Sequence, residues 1–284
     1  MSGRSGLWRD ALNRLAGNRV ALVSLAMLVL MIAAAAVGPL LLDYRQDEID
    51  WAHMAAPPLS AEGHWLGTDR LGRDLLVRTL HGLRVSMGIA LLATFVSLAI
   101  GVSWGAVAGY LRGRTDALMM RVVDVLYALP QVFFVIILTV VFGRSPATLL
   151  VAIGAFGWLT MARIVRGQAL ALREREFVEA AIVGGAGTAR IVTRHIIPNL
   201  LGPVIVYATL TVPQVILVES FLSFLGIGIQ EPFASLGNLI ADGAAEMETA
   251  TWMLAVPAGC LVLLVFCFNF LGDGLRDALD PRDH

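Results

Sequence analysis

Apolar residues are concentrated in six long segments separated by polar stretches. A helical crossing of a bilayer core about 30 Å thick needs about 20 mostly apolar residues, and a helix satisfies its own backbone polar groups there. The pattern therefore predicts six membrane-spanning helices. We expect kinks at Pro130 and Pro213, which fall inside two of the segments. The six segments are residues 20–42, 85–109, 122–141, 147–164, 201–222 and 252–271.

The composition favours an integral membrane protein. Hydrophobic residues make up 57% of the 284 residues and charged residues only 15%, whereas soluble domains contain about 45–50% and about 25%. The net charge of −1 gives no electrostatic reason to expect nucleic-acid binding. Cys260 and Cys267 lie two helical turns apart in the last apolar segment, which is too far for a disulfide, so we interpret them as packing residues.

Lysine is absent from the sequence, and all 21 basic residues are arginine. An ATP-binding P-loop requires a lysine that reaches the phosphates of the nucleotide. This polypeptide therefore cannot hold such a loop, and any ATP chemistry that it depends on must come from another chain.

The arginines are distributed unevenly between the polar segments. If the N-terminus is cytoplasmic, fifteen of the 21 arginines fall inside and six outside, which is the bias of the positive-inside rule. We predict that both termini are cytoplasmic and that residues 43–84 and 223–251 are outside. Four outer arginines lie in residues 67–84, where we predict an interfacial helix, with Asp69 and Asp74 offsetting two of the charges.

The largest inner loop on this topology lies between the fourth and fifth apolar segments. Helix-forming residues predict a helix at Glu176–Val183, and the glycines among residues 184–187 predict a sharp turn with positive φ. Thr188 is the expected N-cap of a second short helix, residues 189–197, which Pro198 ends. From the residues alone, this segment is either a solvated loop or a docking element for a cytoplasmic partner.

Within this loop, "EAAIVGG" is followed after a gap by "HIIPN". The pattern resembles the EAA loop of the membrane subunits of bacterial importers driven by ATP-binding cassettes. A histidine replaces the isoleucine of the general pattern, which is similar to the peptide-importer branch. We call residues 173–199 the EAA segment. The resemblance implies that the ATPase-coupling residues are Glu179, Ala180, Ala181, Gly185, His195 and Pro198.

Four further motifs look like the C-type permease subunits of the oligopeptide, dipeptide and nickel branch, and the oligopeptide subunits are nearest. They are "HWLGTDRLGRD", "MARIVRGQALALREREFVEAA", "ESFLSFLGIGIQEP" and "FNFLGDGLRDALDPR". Together with the EAA segment they extend the resemblance over nearly the whole chain from about residue 15. One departure is Leu236, which stands where the branch usually has tryptophan, and we expect it to affect packing of the outer loop.

The resemblance implies an all-α membrane protein with six transmembrane helices and the type I permease fold of ABC importers. Residues 1–84 would form an N-terminal tail, the first span and a periplasmic segment, and residues 85–284 a five-helix permease core. The chain would pair with a homologous B-type permease in the bacterial inner membrane. Two partner ATPases would bind ATP and Mg²⁺, and an extracytoplasmic binding protein would deliver peptide for alternating-access import. This chain itself would hold no cofactor and catalyse no reaction, and its cargo could be dipeptide, oligopeptide or nickel.

A different class of function remains open from the residues alone. Asp124 and Glu219 are acidic residues within spans, as in ion-coupled secondary transporters or channels that act without ATPases. The structural alternatives are pairing of Asp124 with Arg121 and an interfacial position for Glu219. The candidate pathway residues are Pro213, Gln214 and Glu219.

Two other patterns do not indicate a catalytic or metal site. Residues 101–105, "GVSWG", formally match the G-x-S-x-G motif of a nucleophile elbow, but this motif requires a strand-to-helix turn. Ser103 lies within a span, where small residues favour close helix packing. The five histidines show no spacing typical of a metal site, so we predict none.

Overall fold

The computed structural model describes residues 3–279, and every regular element in that range is helical. The long elements are helices because the apolar segments contain few charges and can satisfy backbone hydrogen bonds internally. The helices are α1 (Gly3–Gly17), α2 (Arg19–Leu41), α3 (Leu75–Leu111), α4 (Gly113–Tyr127), α5 (Gln131–Phe142), α6 (Pro146–Arg173), α7 (Glu176–Val183), α8 (Thr188–Ile191), α9 (Ile197–Phe224), α10 (Leu236–Ala245) and α11 (Thr251–Leu279), with a π-helical turn at Val192–Ile196.

Within residues 3–279, five helices are long and apolar enough to cross a membrane, and each overlaps a predicted span. They are α2, α3, α6, α11 and the continuous helix Thr188–Phe224. The predicted span at residues 122–141 is a broken helix, which makes a sixth crossing if its two halves count as one span. There, α4 and α5 form a pair bent by 76°. Pro130 lies at the break, and because proline cannot donate a backbone hydrogen bond the helix stops and restarts.

Among the described helices, α3 and α6 share the most extensive contact. Gly101, Gly105 and Gly109 recur every four residues on α3 and face the backbone of α6. A Cβ atom at Gly101 would lie 2.8 Å from the Trp158 carbonyl oxygen, and one at Gly109 would lie 2.7 Å from the Arg166 carbonyl oxygen. The absence of side chains therefore permits this approach, as the sequence suggested for residues 101–105. Ser103 is exposed on the same helix, and its hydroxyl donates to the Ala99 carbonyl.

Two large apolar clusters form most of the core of the bundle. The first gathers residues from α2, α3, α6, α9, α10 and α11, and includes Cys267 with Cys260 packed against it. Both cysteines are free thiols, consistent with the packing role predicted for them. The second cluster joins α3 and α6 to α7, α8 and the start of α9. The EAA segment packs against the bundle through this second cluster.

The prediction of an interfacial helix at residues 67–84 is wrong. Residues 67–74 form a folded loop, and α3 begins at Leu75 with Asp74 as its N-cap. Two of the four arginines, Arg73 and Arg78, are buried in ion pairs. Asp69 accepts hydrogen bonds from both Arg73, at 2.7 Å, and Arg78. Arg73 also donates to Glu231 at 2.7 Å. Asp69, Arg73, Arg78 and Glu231 are called the ion cluster below.

Candidate functional site

The first helix of the EAA segment has the predicted bounds, Glu176–Val183. Glu176 and Glu179 lie in its first turn, where negative charge interacts favourably with the helix dipole. Val178 is fully buried against the second apolar cluster, whereas Glu179 and Ala180 are exposed and Ala181 is half-buried. The helix therefore has one face fixed to the bundle and a small, acidic face exposed.

Gly185 ends this helix in the left-handed conformation that the glycine cluster predicted, with a φ of 76°. The Ala186 N–H donates to the Ala181 carbonyl at 3.0 Å, and the Gly185 N–H donates to the Ile182 carbonyl at 3.0 Å. This pair of hydrogen bonds is a Schellman motif, which satisfies the last carbonyls of the helix. No atom outside its immediate chain neighbours lies within 4 Å of a Cβ built on Gly185, so only the backbone conformation requires glycine there.

The second half of the EAA segment differs from the prediction. Thr188 is the first residue of α8, and Gly187 holds the N-cap position without a side-chain hydrogen bond. Pro198 does not end the pattern, because helix runs without interruption from Thr188 to Phe224. The π turn at Val192–Ile196 ends two residues before Pro198, and its wider backbone accommodates the missing proline N–H. The EAA segment is therefore joined to α9 without a hinge loop.

The buried face of this second half is apolar. Ile191, Val192 and Ile196 are almost fully buried against α3 and α6, in contact with the cluster that contains Tyr110 and Val165. His195 is half-buried, and its neighbour Arg194 is exposed. The segment thus presents Glu179, Ala180, Arg194 and the Gly185 turn on one end of the bundle.

Ion pairs anchor the helices that carry the EAA segment. Arg166 of α6 makes a bidentate contact with Asp116 of α4, at 2.5 and 2.6 Å. Arg112, between α3 and α4, donates to Glu174 at 2.7 Å. These contacts connect both helices under the segment to α4 and to the residue that follows α6.

A cavity of about 550 Å³ lies between α3, α6, α9 and the break between α4 and α5. Its lining is mixed, with hydroxyl and amide groups among apolar side chains. Gln214 belongs to the lining, and Pro213 and Glu219 do not. The polar and aromatic lining residues are Thr94, Ser97, Tyr127, Gln131, Phe156, Thr160, Tyr207, Thr211 and Gln214.

Glu219 is fully buried among the helices. Ser86 of α3 donates a hydrogen bond to one carboxylate oxygen at 2.7 Å, and Ser223 donates to the other at 2.8 Å. The Leu236 N–H, at the start of α10, donates to the Ser86 hydroxyl at 3.2 Å. Glu219 therefore connects three helices away from the cavity, with the Leu236 side chain completely buried beside it.

The prediction that Asp124 pairs with Arg121 is wrong. Asp124 accepts a hydrogen bond from Arg163 of α6 at 2.8 Å, and the same guanidinium lies 4.4 Å from the centre of the Tyr127 ring. Arg121 lies on the same helix as Asp124, but the tertiary packing of α4 on α6 supplies a better placed arginine. The sequence could not reveal this pair, since its members are 39 positions apart.

Two family models match the chain. One is described as the binding-protein-dependent transport system inner membrane component and matches residues 101–282. The other is described as the N-terminal transmembrane domain of oligopeptide transport permease C and matches residues 6–58.

Curated relatives match along the full chain. The oligopeptide transport system permease protein OppC of Haemophilus influenzae is 51% identical over 100% of this chain and 91% of its own length. OppC of Escherichia coli is 52% identical over 100% of this chain and 93% of its own length. The dipeptide transport system permease protein DppC of Bacillus subtilis is 45% identical over 96% of this chain and 85% of its own length.

A solved structure of the MetNI methionine ABC transporter in an inward-facing conformation shares the fold. It has 20% sequence identity and a TM-score of 0.58, and the match covers 72% of this chain and 96% of that one. The all-helical ABC importer permease fold predicted from the sequence is thereby confirmed. The chain belongs to the family of inner membrane components of binding-protein-dependent transport systems, and within it to the group of oligopeptide permease C proteins.

Proposed function

We propose that this chain is one of two permease subunits in an ATP-driven importer that carries oligopeptides or dipeptides into the cytoplasm. The relatives named as oligopeptide and dipeptide permeases support the substrate class. The absence of lysine supports the division of labour, because ATP must be bound and hydrolysed by partner subunits. The remaining partners are a homologous B-type permease and an extracytoplasmic peptide-binding protein.

The observation that carries the proposal is the continuity of the EAA segment with a membrane span. An ATPase that engages Glu179, Ala180, Ala181 and the Gly185 turn would hold an element fixed to α3 and α6 and continuous with α9. Displacement of that element moves α9, which borders the cavity that contains Gln214. Nucleotide-dependent movement of the ATPases is thus coupled to alternating access, provided that nucleotide binds the two conformations differently.

The rival function is an ion-coupled carrier that acts without ATPases. It requires an acidic residue that exchanges ions or protons with the pathway. Glu219 is fully buried, bonded to serine hydroxyls and not part of the cavity lining. Asp124 is engaged by Arg163. Neither arrangement favours ion exchange, so we retain the ATP-driven function.

The test is Gly185→Asp in the complete importer, expressed with its second permease and both ATPases. A non-glycine residue at this φ costs about 1 kcal/mol or more, and the new charge would be desolvated in a docking surface. We expect retention of the ATPases during purification and ATP-dependent peptide uptake in proteoliposomes to fall together, by about tenfold or more.

Ser60→Asp provides the control, since it places the same charge on an exposed residue of the loop between α2 and α3. It should leave ATPase retention and uptake unchanged. Wild-type retention and uptake in Gly185→Asp would show that the EAA segment is only a solvated loop. Peptide uptake by this chain alone, driven by a proton gradient, would instead establish the rival function.

A further inference from the structure

Three potential metal ligands converge in the irregular loop between α2 and α3. One ligand atom from each of Asp50, His53 and His64 lies within 4.8 Å of the other two. The three residues are called the Asp50–His53–His64 cluster. They lie outside the EAA segment and outside the cavity, and no role in the proposed function accounts for them.

His64 is held rigidly, with 1% of its surface exposed. Its Nδ1 atom lies 2.8 Å from a carboxylate oxygen of Asp74. The other oxygen of Asp74 accepts the Val77 N–H at 2.8 Å and so caps α3. The His64 ring also stacks on Tyr44, with 4.3 Å between the ring centres. Because a carboxylate only accepts hydrogen bonds, this contact assigns a proton to Nδ1, and in the neutral imidazole the Nε2 lone pair is then free.

The Nε2 atom of His64 is buried and has no hydrogen-bond partner among the described residues. It faces a carboxylate oxygen of Asp50 at 3.5 Å. In the neutral imidazole two electron-rich atoms then lie close together, and a cation between them would stabilise both. A histidine whose first nitrogen donates to a carboxylate and whose second is free has the arrangement of a metal-binding histidine with its supporting carboxylate.

The other two members leave the cluster accessible. The Asp50 oxygen that faces His64 also lies 2.7 Å from Nδ1 of His53. The second Asp50 oxygen accepts the Ala52 N–H at 2.9 Å, and the Asp50 N–H donates to the Gly72 carbonyl at 3.2 Å, so this residue is anchored. The side chains of Asp50 and His53 are 31% and 44% exposed, which gives an ion a route from solvent.

We propose that the Asp50–His53–His64 cluster binds one divalent transition-metal ion, with Zn²⁺ as the best fit. Two imidazole nitrogens and one carboxylate oxygen are ligands typical of zinc, and water would fill a fourth position. Tetrahedral ligands about 2.0–2.2 Å from zinc lie about 3.2–3.6 Å from one another. The separation of 3.5 Å between Asp50 and His64 fits this range. His53 fits after a small outward movement, which its exposure permits.

Bound metal would connect two parts of the loop to the start of a membrane helix. Asp50 is anchored to Gly72, and His64 is anchored through Asp74 to the first turn of α3. A metal ion bound by all three cluster residues would join these connected parts into one unit. We therefore expect zinc to stabilise the loop between α2 and α3 as well as to bind it.

The test measures zinc binding by the purified complete importer, prepared without a histidine tag and treated with a chelator. Equilibrium dialysis against micromolar zinc should add one equivalent of metal per copy of this chain, relative to an importer that carries Asp50→Asn and His53→Ala together. His53→Ala alone should weaken binding about tenfold or more. His53 is exposed, so this variant decides the question even if His64→Ala fails to fold.

His81→Ala and Glu48→Gln are the matched controls. His81 lies on α3, where its ring contacts the Val77 carbonyl, and Glu48 is a carboxylate of the same loop that accepts the Arg45 N–H. Both should bind zinc like the wild type. Cobalt should give visible absorption typical of tetrahedral coordination in the wild type and lose it in His53→Ala. Equal zinc content in the wild type and the double variant would overturn the proposal.

Discussion

Glu219 shows how one buried carboxylate can organise several helices. Its oxygens accept from Ser86 and Ser223, and Ser86 in turn accepts the Leu236 N–H. Sequence reasoning selected Glu219 because acidic residues are rare within spans, but it could not identify these partners. Ser86 is 133 positions away in the chain, and only the packing of α3 against α9 brings the two together.

The Glu219 interactions predict different effects for two substitutions. Glu219→Ala leaves the buried hydroxyls of Ser86 and Ser223 without an acceptor, which costs about 1–3 kcal/mol. Glu219→Gln keeps an amide oxygen as an acceptor and should lose less stability than Glu219→Ala. The measurement is the thermal unfolding midpoint of the detergent-purified importer, with the exposed Glu248→Ala as the control. Equal midpoints for Glu219→Ala and the wild type would contradict this account.

Other single residues were predicted with mixed success. The positive φ of Gly185 followed from a glycine cluster directly after a helical pattern, and the structure confirms it. The N-cap at Thr188 was wrong, because Gly187 already adopts the extended backbone that an N-cap needs. The Asp50–His53–His64 cluster was missed, since no regular helix or strand spacing relates residues of an irregular loop.

At the scale of elements, the contact between α3 and α6 depends on three glycines. Gly105→Val would place a branched side chain against the Ala162 carbonyl of α6, where backbone atoms cannot move aside easily. We expect loss of folded importer, with a destabilisation of about 1–3 kcal/mol or more from overpacking. Yield of the assembled importer after size-exclusion chromatography is the measurement.

Gly88→Ala is the control for this prediction. Gly88 lies on the same helix, and outside the adjacent backbone of that helix no atom lies within 4 Å of a Cβ at that position. This variant should assemble like the wild type. Normal assembly of Gly105→Val would mean that α3 and α6 can separate without loss of the fold.

The ion cluster predicts how stability changes with pH. The hydrogen bond from Arg73 lowers the pKa of Glu231 below its ordinary value of 4.5. A carboxylate with a lowered pKa stabilises the folded state above its unfolded pKa, and this contribution disappears as the pH falls through the folded pKa. We therefore expect the thermal midpoint to fall below about pH 4.5, and Glu231→Gln to reduce the part of that fall due to this residue.

Glu62→Gln, at an exposed loop glutamate, should keep the full acid dependence. An acid profile of Glu231→Gln that matches the wild type would show that the pair with Arg73 does not contribute.

The ion cluster also explains why the predicted interfacial helix was wrong. Hydropathy counts arginines as exposed charges, whereas Arg73 and Arg78 are buried with Asp69 as their common partner.

For the whole molecule, the arginine distribution predicts which side of the membrane each loop faces. In a variant that lacks Cys260 and Cys267, single cysteines at Ser60 and Thr188 should react with impermeant reagents from opposite sides. Both positions are exposed, so failure to label cannot be ascribed to burial. Labelling of both from the same side would contradict the topology with both termini in the cytoplasm.

The sequence was most informative about the number and position of the spans. Long apolar segments report membrane crossing directly, because the bilayer sets their length. It was less informative where protein contacts replace lipid. The start of α3 at Leu75, ahead of the apolar segment, follows the N-cap at Asp74, whose other oxygen contacts the buried His64. At Pro130 the sequence predicted a kink, whereas the structure has a break with a bend of 76°.

The π-helical turn at Val192–Ile196 has a further consequence for helical phase. Val192, Ile196, Leu200 and Val204 recur every four residues and belong to one apolar cluster. In an α-helix of about 3.6 residues per turn, each four-residue step overshoots a full turn by about 40°, so such a stripe winds around the helix. The π turn has more residues per turn and falls short instead, which compensates part of that drift. The direction in which the apolar face of α9 points, relative to the EAA segment, is therefore set by one local irregularity of the backbone.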